Sequence, residues 1–415
     1  MMNRVQGRWI AFVFCLIAIA TASAPAGDPF LISANTTSGT PETVNASGSS
    51  LPNLVGNFVK GQSQFSSFQN RDASASLTYG GLGNAVIVSK NASNTSATLT
   101  LPTIGFTKVF TGANEGDLEK QIRHFAERDG AKIYGEFIRS INQQTELGVT
   151  DGNPLAATAL LADQAFFQFG LQSTPFTAGP TTANPLDQGA TPNVQLNLNG
   201  GYAHTDTGSS YFVGGDFSFG FKFGDRVGVV LSTPFEYRNI QGGAAYMIGE
   251  EVSLPILLIK PSGNHSFGWL LTPTGIVGGA GSVDLASGGL FAGGAITSSL
   301  SYQIDSFVFT LADSYSYFHG FPISIGAYKF ETNLDQELLK NGLKITKFFG
   351  DSLFIDASMT FTQFLQQADI RRYWSPAAGV GLRFSSRAGV RVGYACDFSK
   401  DFVVNGGTVE FYLNY

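Results

Sequence analysis

Eight charged residues stand in long runs where polar and apolar side chains alternate: Asp216, Lys222, Glu236, Arg238, Asp356, Arg383, Arg391 and Glu410. In Tyr211–Phe223 the odd positions read Tyr, Val, Gly, Phe, Phe, Phe, Phe, and the even positions read Phe, Gly, Asp, Ser, Gly, Lys. Successive side chains of a strand point to opposite faces, so such runs segregate charge on one face. Rings of charge around an enclosed path tune which ions and solutes pass. The same residues can also pair with one another and hold a shape. Both signs occur, so the pattern assigns no ion preference.

Other chemistry is sparse. The chain has four His and two Cys. His204 with Asp206 has the makings of an acid–base pair, although a polar loop accounts for both. No phosphate-cradling Gly loop, no zinc spacing and no Ca²⁺ loop is present, so no catalytic residue, metal ligand or cofactor is assigned. Cys15 lies in the N-terminal apolar run, and Cys396 falls on the apolar face of a strand, where it reads as a small hydrophobe. A net charge of −6, with scattered basic residues, argues against nucleic-acid binding.

These residues need a scaffold that encloses a polar face. Charged residues make up only 13% of the 415, while Gly reaches 50 and Phe 36, and the mean hydropathy is +0.07. Past the N-terminus no apolar run approaches the roughly 18 residues of a spanning helix. A chain that spans lipid without helices must close into a barrel, because every backbone polar group needs a partner there. The alternation of Tyr211–Phe223 returns at 227–237, 353–361, 378–384 and 390–398. The spacing predicts an all-β antiparallel transmembrane barrel of about twelve strands over 193–415. It sets short turns at Gly224-Asp225, Pro261–Asn264, Ile304-Asp305, Gly350 and Ser386-Arg387 on one side, and longer loops at 280–286, 318–328 and 363–375 on the other. Gly214, Gly220, Gly379, Gly381, Gly389 and Gly393 share the enclosed face and leave space there.

Upstream, the sequence divides into four parts. Arg4, Arg8, the apolar run Trp9–Ala20 and Ala22-Ser23-Ala24 predict a signal peptide over 1–24. Residues 25–115, rich in Ser, Thr and Asn, predict weak strands between loops. Residues 116–170 predict helices: Leu118, Ile122 and Phe125, then Ile133, Phe137, Ile138 and Ile141, recur at helical spacing, Gly130 interrupts them, and a third helix fits Pro154–Phe169. A small packed helical domain is the first expectation for this segment, with membrane-surface binding or a plug inside the barrel as the alternatives. Residues 171–192, with four Pro, predict a linker.

The last strand, Gly407-Thr-Val-Glu-Phe-Tyr-Leu-Asn-Tyr415, resembles the C-terminal assembly signal of bacterial outer-membrane β-barrel proteins: Tyr415 is terminal, and Leu413, Phe411 and Val409 precede it at alternate positions. Phe is commoner than Tyr at that terminus. The resemblance implies export, insertion into outer-membrane lipid and recognition by the barrel-assembly machinery. The layout of signal peptide, N-terminal region, helix and twelve-stranded barrel also resembles autotransporters, although the candidate passenger is under 100 residues and the Pro-rich stretch stands where a lumen helix would be expected. His265-Ser266 departs from the His-x-Ser spacing of outer-membrane phospholipases. The leading expectation is a passive pore for small polar solutes, with a periplasmic N-terminal region and no enzymatic activity. The alternative is an autotransporter-like translocator, or a surface-interaction or envelope scaffold protein.

Overall fold

The computed structural model describes residue 28 and residues 30–414, apart from 145–153, 172–177, 180–181, 184–192, 206–207, 225, 241, 261–264, 283–286, 326–327, 331–333, 351, 367–369, 386–387 and 401. The expected signal peptide, Tyr415, Asp206 and most of the Pro-rich stretch lie outside the described residues.

Alternation of polar and apolar residues builds a closed barrel. Its first six strands are β7 (Asn193–Thr205), β8 (Gly208–Phe223), β9 (Val227–Ile240), β10 (Gly243–Ser253), β11 (His265–Ser282) and β12 (Ser287–Ile304). The other six are β13 (Phe307–Phe321), β14 (Asp335–Phe349), β15 (Leu353–Phe364), β16 (Arg372–Ser385), β17 (Ala388–Phe398) and β18 (Phe402–Asn414). Each strand pairs antiparallel with the next, and β18 returns to β7 with Glu410 opposite Asn197, which closes the ring without an edge. β13 alternates exposed and buried along its whole length.

The outward face is apolar. Phe217, Leu231, Ile248, Ile296, Leu343 and Val380 are all exposed on it. Exposed Tyr211, Tyr246, Tyr315 and Trp374 ring one end, and Phe223, Phe267, Tyr302 and Phe307 ring the other. Aromatic girdles above and below an aliphatic band are what a bilayer selects for on a barrel.

The two ends of the barrel differ. Asn193, Asn414 and the short connections after Ile304, Phe349 and Ser385 share one end, here the closed-turn end. The short turn expected there at Pro261–Asn264 lies outside the described residues, and the strand Ile256–Ile259 precedes it. That strand pairs with β9 and β11 and continues the wall below the short β10. The opposite end carries 322–334 and 365–371 and is here the loop end.

The N-terminal residues form a separate α+β unit. Six antiparallel strands, β1 (Phe30–Thr36), β2 (Thr43–Gly48), β3 (Ala73–Tyr79), β4 (Leu82–Lys90), β5 (Ser96–Leu101) and β6 (Phe106–Thr111), lie in the order β2-β1-β3-β4-β5-β6. Helix α1 (Leu51–Lys60) ends on Gly61, whose φ of 59° suits a residue without Cβ. Helix α2 (Glu115–His124) starts at Asn114, whose side chain accepts the amide of Asp117 at 3.0 Å. It runs through a π-helical turn, Phe125–Asp129, to Gly130 and then α3 (Ala131–Gln144). The sheet is two-faced: Phe30, Ile32, Ala75 and Leu77 meet Phe58, Phe65 and Phe137 in one core, while Ser33, Ser76, Thr98 and Thr107 lie on the other face.

This core extends to Ile240 and Ala245 of the barrel. Ser49 stands against Gly242, where a Cβ would meet that of Ser49 at 3.2 Å. The N-terminal domain therefore sits on the loop end, away from both barrel termini.

Candidate functional site in the barrel lumen

The third helix does not pack with the other two. Helix α4 (Pro154–Phe166), continued by a π-helical turn over Phe167–Leu171, lies inside the barrel. This corrects the expectation of one packed helical domain over 116–170. The physical reason is its composition: Ala156, Ala157, Ala159, Leu161, Ala162 and Ala165 are buried on every side. A helix apolar all round must be surrounded, and small residues make it thin enough for a lumen of this width. By contrast α2 and α3 each have one apolar stripe and cover a sheet.

Contacts descend the wall in step with the helix. Thr158 donates its hydroxyl to Gln336 Oε1 at 2.9 Å, close to the loop end of β14. One turn lower, Asp163 pairs with Lys340, and Tyr373 of β16 donates to the same carboxylate at 3.0 Å. Phe166 lies over Gly342, where a Cβ would come within 2.9 Å of its ring. Phe167 then takes Lys344 at 5.9 Å and Arg391 at 5.6 Å from its ring centre. Near the lower end, Ser299 donates to the Gly170 carbonyl at 2.7 Å, and Gln168 donates to Ser218 at 3.1 Å. On the far wall Leu161 fills the space over Gly249 and Gly278. Gly249, Gly278 and Gly342 thus seat side chains of the helix, whereas the glycines expected from the alternation make room for the wall: Gly379 and Gly393 for Arg391, Gly381 for Phe354 and Gly389 for Tyr412.

The charged residues read from the alternation fall into separate groups. Asp356, Arg391 and Glu410 come together: Arg391 donates to Asp356 at 2.8 and 2.7 Å and to Glu410 at 2.6 Å. All three are buried, and Lys344 Nζ stands 3.9 Å from Asp356. Glu236 and Arg238 pair with each other at 2.8 Å on β9, and Arg238 also lies over Phe212. Asp216 on β8 accepts the Ser218 hydroxyl, itself bonded to Gln168 of the plug. Arg383 lies over Phe348 at 5.0 Å. Lys222 occupies its strand position opposite Gly228, but its side chain lies outside the described residues.

Lys340, Lys344, Glu251 and Asp163 belong to this lumen and were not singled out from the sequence. β14 carries Glu337 and Lys347 on one parity and Lys340 and Lys344 on the other, so charge alone does not say which face is inside. Adjacent Glu250 and Glu251 blur β10 in the same way. For α4 a signal was present: it lacks the polar face that α2 and α3 have. Buried Lys340, Lys344 and Arg391 lie on β14 and β17, and buried Asp216, Glu236 and Glu251 lie three to six strands away around the ring, on β8–β10.

The remaining candidates are peripheral. His265 is exposed while Ser266 faces inward and is buried, so the two cannot act together. His319 Nδ1 lies 2.7 Å from Asp335 at the loop-end rim. His204 Nδ1 lies 3.0 Å from Ser209. In the closing strand, Phe411 is exposed on the outward face, and Val409 shares its row in register between Leu198 and Val392. The Leu413 side chain and Tyr415 lie outside the described residues. Among the described residues no group of three His, Cys, Asp or Glu is placed to hold a metal ion.

No protein-family model matches the chain, and no curated protein matches it. Solved barrels do resemble it. The translocator domain of the autotransporter NalP from Neisseria meningitidis aligns at 12% identity over 65% of this chain and 100% of that one, with a TM-score of 0.44. The transport unit of the autotransporter AIDA-I from Escherichia coli aligns at 7% identity over 64% and 99%, with a TM-score of 0.42. The Pseudomonas putida toluene transporter TodX aligns at 10% identity over 59% and 98%, with a TM-score of 0.33. Translocators and channels stand side by side in this group, and the resemblance extends to the fold alone. A closed antiparallel ring with an apolar, aromatic-girdled exterior gives this chain the architecture of the bacterial outer-membrane β-barrels.

Proposed function

We propose that the barrel holds its own N-terminal domain at the cell surface, tethered through the lumen by α4. One observation carries this reading: the lumen contains the chain itself, running from the loop end, where the domain sits, toward the end where Asn193 begins the wall. Barrels of this type keep short turns on the periplasmic side and longer loops outside. With that orientation, the N-terminal domain is extracellular and Asn193 lies at the periplasmic end. This departs from the periplasmic location first expected for the N-terminal region. The occupied lumen also weighs against a passive pore for small polar solutes, because the charged wall is engaged by the plug. On this reading the chain is a translocator or surface-interaction protein, and its chemistry is binding rather than catalysis.

An epitope inserted beside Ser47, on the exposed edge strand β2, tests the proposal. Protease treatment of intact cells is expected to remove it while the barrel survives. An epitope protected in intact cells, and lost only after the outer membrane is permeabilised, would falsify surface display.

A further inference from the structure

The outward wall carries a polar row that lipid contact does not call for. Asp313 lies on the exposed parity of β13, between exposed Leu311 and Tyr315. Its register partner on β14 is Asn341, which donates its side-chain amide to the Asp313 carboxylate and adjoins exposed Leu343. On the other side Asp313 faces Ser298 of β12, whose hydroxyl accepts the Trp269 indole N–H at 3.0 Å. Three polar residues thus stand in register on three neighbouring strands inside an apolar band. Asp313 is six positions above Phe307; at roughly 3.3 Å per residue and a tilt of about 40°, that is about 15 Å, near the middle of a band about 25 Å tall. Among the described residues no cation pairs with it.

We propose that this row is the contact through which two copies of the barrel pair side by side in the membrane. An ionisable group facing hydrocarbon persists where it has a partner. Two copies inserted in the same sense are related by a two-fold axis along the membrane normal. An axis between Asp313 and Asn341 sets Asp313 of each copy against Asn341 of the other. Asn341 has a second amide N–H to give, and Asp313 has lone pairs to receive it, so the patch complements itself. Apolar walls gain nothing from each other in lipid, which leaves polar contacts and close packing to drive pairing. Gly275 and Gly294, opposite each other on the outward faces of β11 and β12, keep the adjoining wall flat. This pairing requires the barrel to sit in a membrane and is independent of where the N-terminal domain lies.

The test uses the full chain, fluorescently labelled at one site and refolded into phosphatidylcholine vesicles at decreasing protein-to-lipid ratio. Single-molecule photobleaching then counts copies per vesicle cluster. Wild type is expected to bleach in two steps. Asp313→Leu and Asn341→Leu are each expected to weaken association about tenfold or more. The exchanged double variant, Asp313→Asn with Asn341→Asp, retains the complementarity and is expected to pair again. Protease resistance of the barrel verifies that every variant is folded. Single-step bleaching of wild type at all ratios, unchanged pairing in either Leu variant, or no recovery in the exchanged variant overturns the proposal.

Discussion

Asp163 of the lumen helix is ion-paired with Lys340 of β14, a lysine with no exposed side-chain surface, and Tyr373 donates to the same carboxylate from β16. One acidic residue on α4 thereby ties the plug to two wall strands. Cutting a pair of this kind leaves a buried cation with the Thr362 hydroxyl at 2.9 Å and the Tyr373 ring at 5.6 Å in place of its close carboxylate. The loss is on the order of 3 kcal/mol for the lysine's side of the pair.

The first prediction concerns this latch. Wild-type protein in planar bilayers is expected to conduct little. Asp163→Ala should raise the frequency of open events by one to two orders of magnitude, and Asp163→Leu with Lys340→Met should close the barrel again because no orphan charge remains. Equal conductance in wild type and Asp163→Ala would show that the pair does not hold the plug.

The second prediction tests the lower seat of the helix. Phe167 meets both Lys344 and Arg391 through its ring. Phe167→Ala removes two cation–π contacts and leaves a cavity, together about 3 kcal/mol. Amide exchange across 156–171 should speed up while the barrel strands stay protected. Phe167→Leu restores most of the volume without the ring face, and so should fall between the two.

The third prediction concerns the wall itself. Arg391 neutralises Asp356 and Glu410 at once. Arg391→Met strands two buried carboxylates and is expected to cost the barrel about 3–5 kcal/mol in urea unfolding. Removing all three charges with Asp356→Asn, Arg391→Met and Glu410→Gln should recover most of that loss. A single Arg391→Met variant as stable as wild type would mean that the trio is not a structural tie.

The fourth prediction is pH-dependent and concerns the N-terminal domain. Burial holds the Tyr134 phenol well above its ordinary value of 10.0, and its hydroxyl has no hydrogen-bond partner among the described residues. The folded domain keeps a proton that the unfolded chain gives up above pH 10. Stability from this group is therefore complete below pH 10 and falls as the pH rises further. Tyr134→Phe should flatten that alkaline decline and change stability at pH 7 by no more than about 0.5 kcal/mol. Lys90 works in the opposite sense: burial lowers its pKa from 10.5, so its contribution improves with pH up to that value. Lys90 also donates to the Val59 carbonyl at 3.0 Å, near the end of α1, so Lys90→Met should fray that helix. Thermal melts between pH 7 and 11 separate the two effects.

Much of the barrel was legible from residue order. A strand reports its two faces by parity, and Phe217, Phe219 and Phe221 against Asp216, Ser218 and Lys222 state the inside and outside of β8 without any tertiary information. The even number of strands follows from the same reading carried from Tyr415 back to Asn193. Other features depend on which elements meet in space. Arg391 names no partner by its spacing; only the register of β15, β17 and β18 brings Asp356 and Glu410 to it. The Ala-rich run 154–166 states that a helix is surrounded, but not by what. That the surroundings are the barrel, and that the chain enters from the loop end, was decided by Asp163 meeting Lys340 and by Ser49 meeting Gly242, contacts between residues far apart in the chain that no local pattern encodes.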